Sequence, residues 1–460
     1  MKFDFISVIT NPFVLMFLST ASGLLVGKIK FGKFSLGSSG ALFTGLIIGW
    51  GIYRYADGII ARGETAAGYE AASKLISNGV ISSSFFETAL ILFVAAVGLL
   101  AAKDMDAVLK KYGKKFVVLG VLITFVGAGA TYAASAILPN TNSYEVSGVY
   151  VGALTSSPGL ASAIETVEKE TAENAENYAS LSAREKEAIL RVIDDTGELT
   201  PENTPELSDA QKVSYQKNAS ASIGIGYAIS YPFGVIIVIL AVNFFPSIFR
   251  MNLDEEKRRF AAEMAQARSM AKTRDIPTTP FDLVAFSIVC AVGYLVGCVH
   301  IYMGPLGYFS LSATGGVLIM ALVFGYIGKI GPISFRMDPE VLAILREIGL
   351  DFFLAIVGLR YGFRAFDAIM GSGLALAIAA LAVGLLAILA GFIVGRYVFK
   401  LNWIMLSGAI CGGMTSTPGL GAAIDAADSD DPAAGYGATY PFALLGMIIF
   451  TIILNKMPLL

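Results

Sequence analysis

Thr155-Ser156-Ser157-Pro158-Gly159-Leu160 returns later in the chain as Thr415-Ser416-Thr417-Pro418-Gly419-Leu420, 260 residues on (415 − 155). The register holds beyond the motif. Ala163-Ile164-Glu165 matches Ala423-Ile424-Asp425, Val97-Gly98-Leu99 matches Val357-Gly358-Leu359, and Glu87 matches Glu347, all at the same offset. Phe34-Ser35-Leu36 reappears as Phe309-Ser310-Leu311. Gly226-Tyr227 and Tyr231-Pro232-Phe233 reappear as Gly435-Tyr436 and Tyr440-Pro441-Phe442, now 209 residues on (435 − 226). Matches in one order at a constant offset mark an internal duplication. The drop in offset places an insertion of 51 residues (260 − 209) in the first half.

Composition says in which solvent the duplicated chain folds. Of its 460 residues 55% are apolar and 15% are charged, against about 25% charged in a soluble domain. That surplus of apolar surface calls for lipid, and the 49 glycines suit the close helix packing that lipid favours. A net charge of −3 points to no nucleic-acid partner. Cys290, Cys298, Cys411 and the single histidine, His300, match no zinc, haem or disulfide spacing, so no cofactor or metal is expected. Asp4 precedes the first apolar run and Lys28, Lys30 and Lys33 follow it, the reverse of a cleavable signal.

A spanning helix needs about 20 apolar residues. Candidates lie near 8–27, 38–54, 84–102, 115–138, 147–166 and 221–247, and again near 280–299, 313–330, 343–361, 370–399, 403–425 and 435–456. Two differ from the rest. Segments 147–166 and 403–425 are short, rich in small residues, and broken by Pro158 and Pro418. Non-helical backbone at membrane depth must be covered by protein or line a cavity.

Basic residues set the direction of the spans. Loop 28–33 holds three lysines, loop 103–115 holds five, and 250–274 holds seven basic residues. Placing all three inside requires an odd number of crossings between 116 and 249. Either 147–166 crosses fully and the halves run parallel, or it dips in and returns, and the halves run inverted. The acidic stretch 167–220 sits more easily outside, which favours the inverted scheme with an external N-terminus. The expected fold is an all-α polytopic membrane protein of two inverted repeats. Each repeat has about five transmembrane helices and one re-entrant hairpin. Repeat one covers 1–250 with the external insertion 167–220, and repeat two covers 277–460. Between them, 251–276 carries Leu253, Phe260, Met264, Ala267 and Ala271 at helical spacing, which reads as a cytoplasmic amphipathic linker helix.

At membrane depth Thr-Ser-Ser/Thr-Pro-Gly opens the chain, because proline removes an amide donor and glycine permits turns closed to other residues. The exposed helix N-termini attract anions, and the hydroxyls can donate to a carboxylate or accept from a cation. Thr155, Ser156, Ser157, Pro158 and Gly159 with Thr415, Ser416, Thr417, Pro418 and Gly419 are therefore the expected site, for a small anionic or zwitterionic substrate. Taken singly, such a motif reads as a kink; duplicated, it reads as paired tips at the midplane. Tyr231-Pro232 and Tyr440-Pro441 are expected to break the last helix of each repeat, with the tyrosine hydroxyls lining the site. Asp351 is flanked by apolar residues on both sides, and Arg360 has no counterpart in the first half, where Leu100 stands. Intramembrane charges mark sites, so both are candidates for contact with substrate or a coupling ion, although a helix-end arginine also snorkels.

Gly152-Ala153-Leu154-Thr155-Ser156-Ser157-Pro158 and Gly412-Gly413-Met414-Thr415-Ser416-Thr417-Pro418, with the Val-Gly-Leu helices, resemble the aspartate:alanine exchanger family across the apolar parts of both halves. The resemblance implies a homodimer in the bacterial inner membrane that exchanges small amino acids or dicarboxylates. Members typically carry a large cytoplasmic region between the halves; here only the linker stands there. By analogy with other inverted-repeat carriers, the tips imply an elevator mechanism. A Na+- or H+-coupled carboxylate symporter on a similar scaffold is the alternative. A channel lacks its filter pattern, and no residue pair suits an enzyme.

Overall fold

The computed structural model describes residues 5–31, 34–35, 37–102, 105–138, 142–194, 197–270, 277–302, 308–309, 311–370 and 373–456. Asp4, Lys33, Leu36, Lys103, Asp195, Ala271, Arg274 and Ser310, on which parts of the sequence reading rest, lie outside them. Helices dominate. The first half runs α1 (Phe5–Ile9), α2 (Pro12–Gly27), α3 (Gly40–Ile60), α4 (Tyr69–Asn78), α5 (Ser83–Ala101) and α6 (Met105–Ser135). It continues with α7 (Ser143–Ala153), α8 (Ser157–Glu176), α9 (Ala183–Ile193) and α10 (Asp209–Ile248). After α11 (Leu253–Met270) come α12 (Leu283–Gly297), α13 (Ser312–Ile327), α14 (Pro339–Met370) and α15 (Leu374–Ile393). The chain closes with α16 (Trp403–Gly413), α17 (Thr417–Ala427) and α18 (Pro432–Lys456). Three two-stranded ribbons join helix ends.

Five helical segments are long and apolar enough to cross a bilayer: Ser84–Ala101, Lys110–Ser135, Asp209–Ile248, Leu374–Val398 and Pro432–Asn455. Large apolar side chains also face outward, among them Phe13, Phe17 and Leu25 on α2, Phe125 on α6, Leu283 and Leu295 on α12, and Ile378 and Leu386 on α15. Water would penalise that surface and lipid does not. The chain is an all-α polytopic membrane protein.

The two odd segments each divide into a pair of short helices, α7–α8 and α16–α17, meeting at a sharp turn. Each pair lies along one long helix through close backbone contact at glycine. A Cβ on Gly148 would sit 2.3 Å from the Ile223 carbonyl oxygen, and one on Gly226 would sit 2.2 Å from that of Glu145, so α7 and α10 touch backbone to backbone. The same contact joins α16 to α18, where a Cβ on Gly408 would sit 1.8 Å from the Pro432 carbonyl oxygen and one on Gly435 2.4 Å from that of Met405. Small residues at four-residue spacing allow this approach.

One expectation fails here. Pro232 and Pro441 do not break their helices: α10 and α18 run through them. A proline forfeits a single backbone bond, and packed neighbours can hold the helix together around it.

Residues 167–220 fold as a helical cap whose Val167, Tyr178, Leu190 and Tyr215 form a second apolar cluster together with Tyr144 of α7 and Ile223 of α10. Ser182 with Glu185 and Ser208 with Gln211 form capping boxes that start α9 and α10, each satisfying two orphan amides. Helix α11 buries Phe260 and Met264, as an amphipathic helix should, though the Ala267 side chain lies outside the described part. It also buries a charge. Glu256, 4% exposed, takes both Arg396 Nη1 (3.0 Å) and Nη2 (2.8 Å), and accepts the Trp403 N–H at 2.8 Å. Burial works against the Glu256 charge, but Arg396, the Trp403 amide and Arg259 outweigh it and hold the carboxyl below its usual range. That carboxylate caps α16 at its N-terminus and ties the linker to the second hairpin.

Candidate functional site

The two hairpin tips meet. Thr155 Oγ1 donates to the Met414 carbonyl oxygen at 3.0 Å, and Thr415 Oγ1 donates to the Leu154 carbonyl oxygen at 3.0 Å. Each tip thus closes one hydrogen bond onto the backbone of the other, in a reciprocal pair. Both threonines hold left-handed backbone, with φ of 55° and 50°, a conformation that costs a β-branched residue of order 1–3 kcal/mol. The strain lets the chain reverse while aiming each hydroxyl across the junction.

Past the threonine a serine caps the next helix. Ser156 Oγ accepts the Gly159 N–H at 3.1 Å, and Ser416 Oγ accepts the Gly419 N–H at 3.2 Å. Proline stands in the first turn of both α8 and α17, where its missing N–H is not needed. The serine backbone N–H groups turn back to the Val151 and Cys411 carbonyls, both at 2.8 Å. Most of the orphan amides of these helix ends are therefore satisfied internally. The Thr417 N–H has no backbone or side-chain acceptor among the described residues, and the buried Ser156 and Ser416 hydroxyls accept a glycine N–H without donating to a described acceptor. The side chains of Ser157 and Pro158 lie outside the described part.

The glycines serve closeness. A Cβ on Gly419 would lie 2.5 Å from Val238 Cγ1 on α10, and one on Gly159 would lie 2.8 Å from Ser156 Oγ. All described tip side chains are buried: Thr155, Ser156, Thr415, Ser416 and Thr417 are each at most 7% exposed.

Tyrosines cluster beside the second tip, and one of them touches it. Tyr231 and Tyr440 are both buried. Tyr231 packs on Tyr227 (ring centroids 5.2 Å) and on Tyr361 (4.8 Å), and Tyr440 stacks on Tyr436 (5.4 Å). Tyr436 OH lies 3.3 Å from Thr417 Oγ1, so the tyrosine that reaches the second tip is Tyr436. The sequence carried a signal for it: Tyr227/Tyr231 and Tyr436/Tyr440 repeat at four-residue spacing, which stacks rings on one helix face. Gly148/Gly152 and Gly408/Gly412 were legible in the same way.

Arg360 and Asp351 are not at the junction. Arg360 is exposed, its guanidinium 5.8 Å from the Phe86 ring centroid and 6.0 Å from that of Tyr361, the ring that packs on Tyr231. Asp351 is buried on α14 and faces the far end of α17, beside Asp425. No group of three or more metal-ligating side chains occurs among the described residues.

A family model described as a predicted permease membrane region matches residues 15–247 and 285–456. An uncharacterized transporter of Bacteroides thetaiotaomicron is 39% identical over 183 residues, which is 40% of this chain and 34% of that protein. One of Bacteroides fragilis is 41% identical over 178 residues, 38% and 33% of the two chains. One of Rhodopirellula baltica is 37% identical over 164 residues, 36% and 30% of the two chains. The matched stretches span about a third of the length of these relatives.

Proposed function

The chain belongs to the aspartate–alanine exchanger family of membrane permeases, and from that premise we propose that it is a secondary active antiporter for small carboxylates. Its substrates are amino acids of the aspartate/alanine kind or dicarboxylates, exchanged across the bacterial inner membrane. Two inverted repeats, 1–250 and 277–460, would each contribute one re-entrant hairpin. The tips would move as a unit past a scaffold, in an elevator cycle within a homodimer whose chains start outside.

The reciprocal bonds of Thr155 and Thr415 carry this reading. They bring the N-termini of α8 and α17 to one junction, and each such end carries roughly half a positive elementary charge. Two like ends brought together repel, and a carboxylate at the junction relieves both at once. The Thr417 N–H and the Ser156 and Ser416 hydroxyls are the donors this reading assigns to it. Tyr231, Tyr436 and Tyr440 shape the wall, and Arg360 acts at longer range. A cation-coupled symporter is the second reading, favoured by the buried carboxylate of Asp351.

The test is thermal stabilisation of the purified protein by a panel of small amino acids and dicarboxylates, followed by counterflow in proteoliposomes. Substrate should raise the melting midpoint of the wild type. Removing two hydroxyls that meet a charged group, as Ser156→Ala plus Ser416→Ala, should cost about 3 kcal/mol of binding, roughly a hundredfold. Unchanged binding and counterflow in that double variant would show that the tips do not hold the substrate.

A further inference from the structure

Helix α17 has two ends. Its N-terminus forms the second tip, and its last turn, about 12 Å further along, carries Asp425. There the exposed Asp425 accepts the Ser38 N–H on Oδ2 at 3.2 Å. The Ser38 side chain lies beside both Asp425 and Asp351 and acts on each. Three elements converge: the turn Gly37–Ser39 before α3, the middle of α14, and the end of α17. Asp351 is only 6% exposed, and its Oδ1 accepts no hydrogen bond among the described residues.

The charges around this pair do not balance. A serine hydroxyl has one hydrogen to donate, so Ser38 serves one carboxylate at a time. Glu347, a turn earlier on α14, adds negative potential at both. Arg346 acts on Asp425, but its Nη1 is paired with Asp430. Lys257 of α11 reaches Asp428, at 3.5 Å. The carbonyl end of α17 is itself negative. A buried carboxylate so placed needs a counter-charge.

We propose that Asp351, Asp425 and Ser38 form a binding site for one monovalent cation, a proton or Na+. Asp351 Oδ1, an Asp425 oxygen and Ser38 Oγ are its oxygen ligands, or in the proton case the two carboxylates share the proton. The first half carries Ile91 at the position of Asp351 (351 − 260), so the chain has one such site rather than two. Because α17 is a single rod, cation at one end and carboxylate at the other would be held by the same moving piece. That consequence rests on the exchange reading above; the site itself does not.

The test therefore uses no carboxylate substrate. The purified chain is melted in NaCl and in choline chloride at equal concentration, then in choline alone from about pH 5 to about pH 8. If the site takes Na+, the wild-type midpoint rises by about 3 °C when Na+ is in ~100-fold excess over its Kd, and Asp351→Asn shows no rise. If it takes a proton, Na+ does nothing, and the wild-type midpoint falls as pH rises while that of Asp351→Asn stays flat. Equal wild-type midpoints in both salts, with a pH profile that superimposes on that of Asp351→Asn, overturn the site. Should Asp351→Asn give no cooperative melt, Ser38→Ala decides. It keeps both carboxylates and is expected to shrink the cation effect severalfold; an undiminished effect overturns the proposal. A substrate-binding failure at the tips would leave every one of these readings intact, so the two ideas fail separately.

Discussion

The two tips share a backbone and differ in what holds them. Ser156 and Ser416 cap their helices with φ of −95° and −92° and ψ of 93° and 97°, and the preceding threonines differ by 5° in φ. Beyond the turn they part. Helix α8 runs 20 residues and ends in the acidic cap. Helix α17 stops after 11 residues at Asp428, in left-handed conformation, beside the linker helix. Tip geometry is thus a local property of six residues, while tip anchoring is not. One tip leads into the helical cap of 167–220 and the other is steadied by the buried Glu256 of α11.

The largest effects should come from the contacts the tips share. Gly408→Ala forces a Cβ into the Pro432 carbonyl, and Gly148→Ala forces one into the Ile223 carbonyl. Each should cost about 3 kcal/mol or more, since neither obstacle is a side chain that can rotate away. Thermal melts should rank Gly408→Ala as the worse; full stability in either would mean that the hairpin lies further from its long helix. Next, Glu256→Ala should cost about 3 kcal/mol, because it strands a part-buried Arg396 and uncaps α16. Denaturant titration measures this, and the contrast is sharpened if Glu185→Ala in the cap costs well under that.

A smaller and symmetric loss is expected at the junction. Thr155→Val and Thr415→Val should each cost about 1–2 kcal/mol, and by equal amounts. A double-mutant cycle should show the pair costing less than the two singles together, since each severs one of two bonds that close the same junction. Unequal singles would break the equivalence of the tips. The least effect is an acid one. With its carboxyl held below the usual range, Glu256 stabilises the fold fully above its unfolded pKa near 4.3. That contribution is lost as pH falls through the lower folded value. Melts of wild type and Glu256→Gln should therefore converge with acidification and stay apart at neutral pH.

Much of the site was legible because its chemistry is local. Ser156 and Gly159, or Ser416 and Gly419, are three residues apart, so a cap can be read from the string itself. Membrane residence followed from composition, and the split of 147–166 and 403–425 from the prolines. The continuity of α10 through Pro232 was not legible, because packing by neighbouring helices outweighs one lost backbone bond. Nor was the use of the hydroxyls: Thr155 and Thr415, read as facing a ligand, are spent on each other's loops.

The sequence by itself determined that this is a duplicated membrane protein with two serine-capped turns, since offset, composition and capping are all written in neighbouring residues. Only the tertiary structure decided which tip touches which, that Glu256 anchors one of them, and that Ser38 meets an aspartate 387 positions away. Those partners are chosen by helix packing in three dimensions, and no spacing along the chain encodes them.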